Sequence, residues 1–215
     1  MKLSIVLALS IAAVTAGSIV QADSDSAMSF FVTSEGSGKG GDLGGLEGAD
    51  KHCTTLAESA GVKGKGWKAY LSTQEEGKRG VSARDRIGTG PWHNAKGELI
   101  ATNLDDLHIS PNIFKTTALN ENGELVNGRG DAPNKHDLLT GSMSDGTAYF
   151  PTETADKTCS NWTSSDKGSA TVGHHDRHGG GNTSWNSAHG SRGCSPEALT
   201  TTGGTGLFMC FAVAK

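Results

Sequence analysis

Apolar residues fall into a few short patches separated by long polar, glycine-rich stretches, and each patch has its own period. Ser29 to Thr33 (SFFVT) reads as a first strand. Leu46, Ala49, Cys53, Leu56, Ala57 and Ala60 recur at helical spacing, Gly61 is a stop, and Cys53 falls on the apolar face. Trp67 to Ser72 (WKAYLS) alternates large with polar or small residues, as a half-buried strand does. Asn103 is placed to cap a short helix through Leu104-Asp105-Asp106-Leu107, with both carboxylates in the first turn where the helix dipole favours them. Leu207 to Val213 (LFMCFAV) is apolar throughout and predicts a buried terminal strand.

Between these elements the chain repeats itself once. Asn94-Ala95-Lys96-Gly97-Glu98-Leu99-Ile100 is echoed by Asn120-Glu121-Asn122-Gly123-Glu124-Leu125-Val126. Lys-Gly and Asn-Gly are tight-turn dipeptides, so each copy predicts a hairpin entry. Gly36 to Gly45 is a flexible turn, since it lacks a Walker pattern and only weakly matches a dinucleotide pattern. Gly128 to Gly193 is mostly polar, and Cys159 and Cys194, taken to mark its two ends, favour ordered loops.

Export changes the reading of the cysteines. Met1-Lys2, the apolar run Leu3 to Val14 and the exit Val20-Gln21-Ala22 make residues 1–22 a signal peptide cleaved after Ala22, followed by a polar leader at 23–28 and one domain at 29–215. The run is too short and too polar for a membrane span. Cys53, Cys159, Cys194 and Cys210 then read as a disulfide framework in a secreted or periplasmic protein, with three possible connectivities. A hydrophobic content of 34% with 31 glycines implies a thin core that benefits from such staples. The net charge of −4 supplies no basic stripe for nucleic acid and no attraction to anionic membranes.

The order of strand, cysteine-bearing helix, WKAYLS strand, second helix, long polar loops with two cysteines and cysteine-bearing terminal strand resembles the C-type-lectin-like fold. It is nearest in pattern to endostatin-like domains and to bacterial exported proteins described as lectins. FFVTSEG, GWKAYLST, ARDRI, GELIATNLDDLH, TCSNWTSS with the following ATVG, and CSPEALTTTGGTGLFMCFAV carry the resemblance across most of residues 29–214. It implies an α+β domain with two helices and short antiparallel strands. It also implies nested bridges, Cys53–Cys210 and Cys159–Cys194, and a carbohydrate or glycoconjugate partner.

The calcium motifs of that family are incomplete. Ala132-Pro133-Asn134 and Trp185-Asn186-Ser187 stand where the family has Glu-Pro-Asn and Trp-Asn-Asp, so each lacks its acid and the spacings to the cysteines are longer. No cofactor is therefore expected, and Asp131, Asp137, Asp145 and Asp176 are oxygen ligands that nothing aligns. Sugar binding without calcium would use an aromatic face and hydrogen-bonding side chains, for which Asp176, Arg177, Asn182, Trp185 and Asn186 are the candidates. Trp67, Trp92 and Trp162 are expected in the core.

The tract His174-His175-Asp176-Arg177-His178, followed by three glycines and later His189, offers ligands for zinc or copper. As a strand it would place His174, Asp176 and His178 on one face. The alternative is a solvated, glycine-hinged loop. Arg129-Gly130-Asp131 reads as a turn. An enzyme is not expected: Ser195 lacks a nucleophile elbow, every cysteine has a structural use, and Asp105 and Asp106 point in different directions. The expected function is an exported, non-enzymatic lectin-like binder, with a protein-interaction or surface-structural module and a divalent-metal module as alternatives.

Overall fold

The computed structural model describes residues 27–213, so the signal peptide and most of the leader fall outside the described residues. Met28, assigned to the polar leader, is instead buried in the core.

The last strand organises the fold. Strand β8 (Gly204–Val213) pairs antiparallel with β1 (Phe30–Val32) near its centre and with β2 (Gly66–Ala69) along its second half. Its first half runs parallel to β5 (Asp137–Leu139). β5 pairs antiparallel with β6 (Thr171–His174), which pairs with β7 (His189–Gly190) at the edge. A separate hairpin joins β3 (Trp92–His93) to β4 (Leu99–Ala101). The parallel β5–β8 contact departs from the all-antiparallel expectation.

Both faces of the sheet are covered, which is why β8 has no polar alternation. Phe208 and Cys210 pack on one side with Phe31, Trp67 and Leu139, beneath helix α1 (Gly45–Ser59). Leu207, Met209 and Phe211 pack on the other with Phe30, Val32, Tyr70 and Leu138. Cys53, on the buried face of α1, bonds to Cys210, and Cys159 bonds to Cys194. Trp67, Trp92 and Trp162 are buried, and Trp162 Nε1 donates to the Ser72 carbonyl at 2.8 Å.

Helix α2 (Leu104–Ile109) is capped by Asn103, whose side chain accepts from Asp106 N. Two helices were not expected. α3 (Cys159–Trp162) is a single turn whose residues all have positive φ, between 48° and 66°. α4 (Pro196–Thr200) starts at Ser195, whose side chain accepts from Ala198 N, with Pro at the first helical position. That cap-then-proline pattern was readable in Ser195-Pro196-Glu197.

The internal repeat folds twice into one turn. Asn94 Oδ1 accepts from Lys96 N and Glu98 N, as Asn120 Oδ1 accepts from Asn122 N and Glu124 N. Each amide donates to the following glutamate, Glu98 or Glu124. Asn94 is fully buried and also donates to the Thr117 carbonyl. Asn94→Ala should therefore cost about 1–3 kcal/mol by leaving those groups unmatched, read as a lower urea midpoint at constant m-value.

Candidate functional site

One end of the sheet face that carries Leu139 and Val172 changes from apolar to polar. Asp137 lies opposite His174 in the β5–β6 register, two residues beyond the Leu139–Val172 pair, so both side chains share that face. His189 lies opposite Val172 on β7, diagonal to His174. Gly173 makes this possible: a Cβ there would overlap the Trp185 carbonyl, so its absence lets the chain fold back closely over β6 before reaching His189.

Three ligand atoms then close a triangle. His174 Nε2 is 3.0 Å from His189 Nε2 and 3.3 Å from Asp137 Oδ1, and His189 Nε2 is 3.5 Å from that oxygen. For metal–ligand bonds of about 2.0–2.1 Å a tetrahedral edge measures about 3.3 Å, so these atoms have the spacing of one face of a coordination shell. His136 Nε2 lies 3.1 Å from the same oxygen, and its ring stacks on His174 at 4.3 Å. Stacked rings aim their in-plane lone pairs side by side, so His136 completes a shared shell only after its ring turns.

The electrostatics point the same way. The Asp137 side chain is 1% exposed, yet neither carboxylate oxygen has an aligned hydrogen-bond donor among the described residues. A buried carboxylate left so is costly unless a cation answers it. Burial pushes its carboxyl up, but the facing His174 and His189 outweigh that and hold it below the ordinary carboxylate range. Asp137 in turn raises His189 above the usual imidazole value against its partial burial.

A further layer orients the rings. His189 Nδ1 lies 3.1 Å from the Gly190 carbonyl; donating there leaves Nε2 as the lone-pair nitrogen. Asp176 Oδ1 is 3.4 Å from His136 Nδ1, the carboxylate–histidine arrangement common behind metal ligands. Asp176 also accepts from Arg129 N and His178 N. Burial works against the ionised Asp176, but the His136 contact and these amides prevail and depress its pKa.

Of the metal candidates, His174 is therefore in the cluster, Asp176 stands behind it, and His178 is exposed outside it. The one-face expectation fails because β6 ends at His174: Arg177 N bonds back to the His174 carbonyl and Arg177 has φ 56°. His175 turns away, buried with Nε2 3.2 Å from the Asn127 carbonyl, and burial lowers its pKa.

The sugar-site candidates do not assemble. Trp185 is 2% exposed, packed on Tyr70 at 4.9 Å and His108 at 5.8 Å, so it has no face to offer a ligand. Asn186 is buried and donates to Tyr70 Oη and the Met143 and Ser144 carbonyls. Arg177 Nε donates to the Ile113 carbonyl, and its guanidinium lies 5.6 Å from the Phe114 ring. Asn182 alone of this set, apart from the supporting Asp176, borders the cluster, and its amide donates to the Ser187 and Ala188 carbonyls. Nor do the acids considered for calcium converge: Asp131 pairs with Lys115, and Asp145 binds Thr147.

The cluster opens on a cavity of about 600 Å³ lined by His136, His174, His189, Arg129, Asn134 and the Gly179–Gly181 turn, among others. His136 carried no recognised motif and Arg129 was read only as part of the Arg129-Gly130-Asp131 turn, although the adjacent His136-Asp137 pair at the start of an apolar strand was a signal available in the sequence.

Comparison of the chain with protein-family models gives no match, and comparison with curated proteins gives none either. Among the described residues no helix is long and apolar enough to cross a membrane. Two disulfides fit an oxidising compartment.

Proposed function

We propose that this chain is an exported, non-enzymatic module of C-type-lectin-like architecture that binds one divalent transition metal, of the zinc class, through His174, His189 and Asp137, with the His136 ring stacked beside them outside the shell. The observation that carries the reading is the triangle of two imidazole nitrogens and one buried, donor-poor carboxylate oxygen with edges of 3.0, 3.3 and 3.5 Å. Imidazole with a single carboxylate suits zinc and its neighbours better than calcium, which takes six to eight oxygens. The architecture is supported by the two nested bridges and by the pairing of the first strand with the last. A carbohydrate reading keeps the cavity and Asn182 but has no exposed tryptophan to stack on a sugar.

The test is calorimetric titration of the chelator-stripped, disulfide-intact protein with Zn²⁺. One equivalent is expected, and free zinc at a hundred times Kd should raise stability by about 2.7 kcal/mol. His189→Ala, at the half-exposed rim, should weaken binding at least a hundredfold while the apo protein stays folded, and His178→Ala should bind as the wild type does. Binding that survives His189→Ala and Asp137→Asn, or no binding to folded protein, overturns the reading.

A further inference from the structure

The metal triad is approached from protein on one side and from the cavity on the other, and the cavity side carries unused hydrogen-bond donors. His174 and Asp137 are buried, whereas the His189 side chain is 40% exposed toward the opening. A site with three ligands on one face keeps at least one position for an outside group. What that group is depends on the cavity wall.

Two donors stand there without protein partners among the described residues. The Arg129 guanidinium makes no hydrogen bond or ion pair among the described residues, and its backbone N–H is fixed by Asp176. The guanidinium lies beside the cluster: a Cβ added at Gly179 would overlap Arg129 Nη1 and sit 3.3 Å from His136 Cε1. Only glycine, here at φ 106°, leaves that approach open. Asn134 Oδ1 accepts from His136 N, and its amide N–H groups have no partner among the described residues. A Cβ at Gly203 would stand 2.7 Å from Asn134 Nδ2 and 3.0 Å from His136 Nε2, so the amide lies against the same ring.

With a divalent ion held, the metal charge and the Arg129 charge would stand against two carboxylates, Asp137 in the triad and Asp176 behind His136, which leaves a positive excess at the cavity. A planar fork of N–H donors, an amide and an open metal position suit an oxyanion, one oxygen on the metal and another on the guanidinium. Resting on the metal reading above, we infer that the cavity takes an oxyanion, a carboxylate or a phosphate group, bridging the metal and Arg129. The volume leaves room for a larger molecule bearing that group.

The experiment uses the full chain loaded with Co²⁺, whose visible absorption reports changes in coordination, titrated separately with inorganic phosphate and with acetate. Wild type should show a saturable spectral change with at least one of the two. The tighter arm distinguishes phosphoryl from carboxylate recognition. Arg129→Gln should hold Co²⁺ within twofold of wild type and lose at least tenfold in anion affinity. Arg129→Lys, which keeps the charge but not the fork, should fall between them. Wild type that binds Co²⁺ but shows no change with either anion overturns the inference and leaves the metal reading standing, as does equal anion affinity in Arg129→Gln. Failure of Co²⁺ itself to bind overturns both.

Discussion

Replacing Cys53 and Cys210 together by alanine is expected to lower the unfolding free energy by about 4–5 kcal/mol, the largest loss from any single bridge. The bond spans 157 residues and joins α1 to β8, the strand on which β1, β2 and β5 all pair. Without it the unfolded chain regains the freedom of a loop that includes most of the domain. The Cys159–Cys194 bridge closes only 35 residues, and its removal should cost about 1 kcal/mol less on the same argument. Urea denaturation of the two double-alanine variants against wild type measures the difference. The reverse order would mean that local structure outweighs loop closure. The place to look would then be α3, where Cys159 begins four consecutive non-glycine residues at positive φ and its sulfur fills the space beside Gly41.

Asp50→Ala is expected to cost about 3–5 kcal/mol, because it strands a largely buried cation. The carboxylate takes both oxygens to Arg86 Nη2 at 2.7 and 2.8 Å, accepts from Ala69 N at 3.0 Å and meets Lys68 Nζ at 2.7 Å. The Arg86 side chain is only 10% exposed. Alanine removes its counter-charge and leaves the Ala69 amide of β2 without its acceptor, loosening the contact of α1 with the sheet. Asp50→Asn keeps the shape and one acceptor, so it should lose less. A loss under 1 kcal/mol for Asp50→Ala would show the cluster to be hydrated and no stronger than a surface pair. Thermal and urea unfolding at neutral pH separate these outcomes.

Elements whose period is set by local burial were legible in the chain. The helix bearing Cys53 appears as read because Ala49, Cys53, Leu56 and Ala57 repeat at helical spacing and all face the core. The Asn103 cap and the doubled Asn turn were legible because they close within a few residues through one side chain. The terminal strand was legible as buried, though its three partners were not. The four-residue turn at Cys159–Trp162 left little signal, since in CSNW only Asn161 favours a left-handed backbone.

The candidate site divides along the same line. From the sequence came an exported reading of the chain, an even cysteine set, an α+β order of elements and a histidine-rich tract that could hold a metal. The tertiary structure decided which cysteines meet, buried Trp185 and Asn186 instead of presenting them, and ended β6 at His174. It also brought Asp137 from one strand and His189 from another to the same point. The physical reason is that strand register places residues 37 and 15 positions away from His174 beside it, while the turn after His174 sends its near neighbour His178 out to solvent. Spacing along the chain carries a helix or a turn, but a coordination shell is set by distances across a sheet.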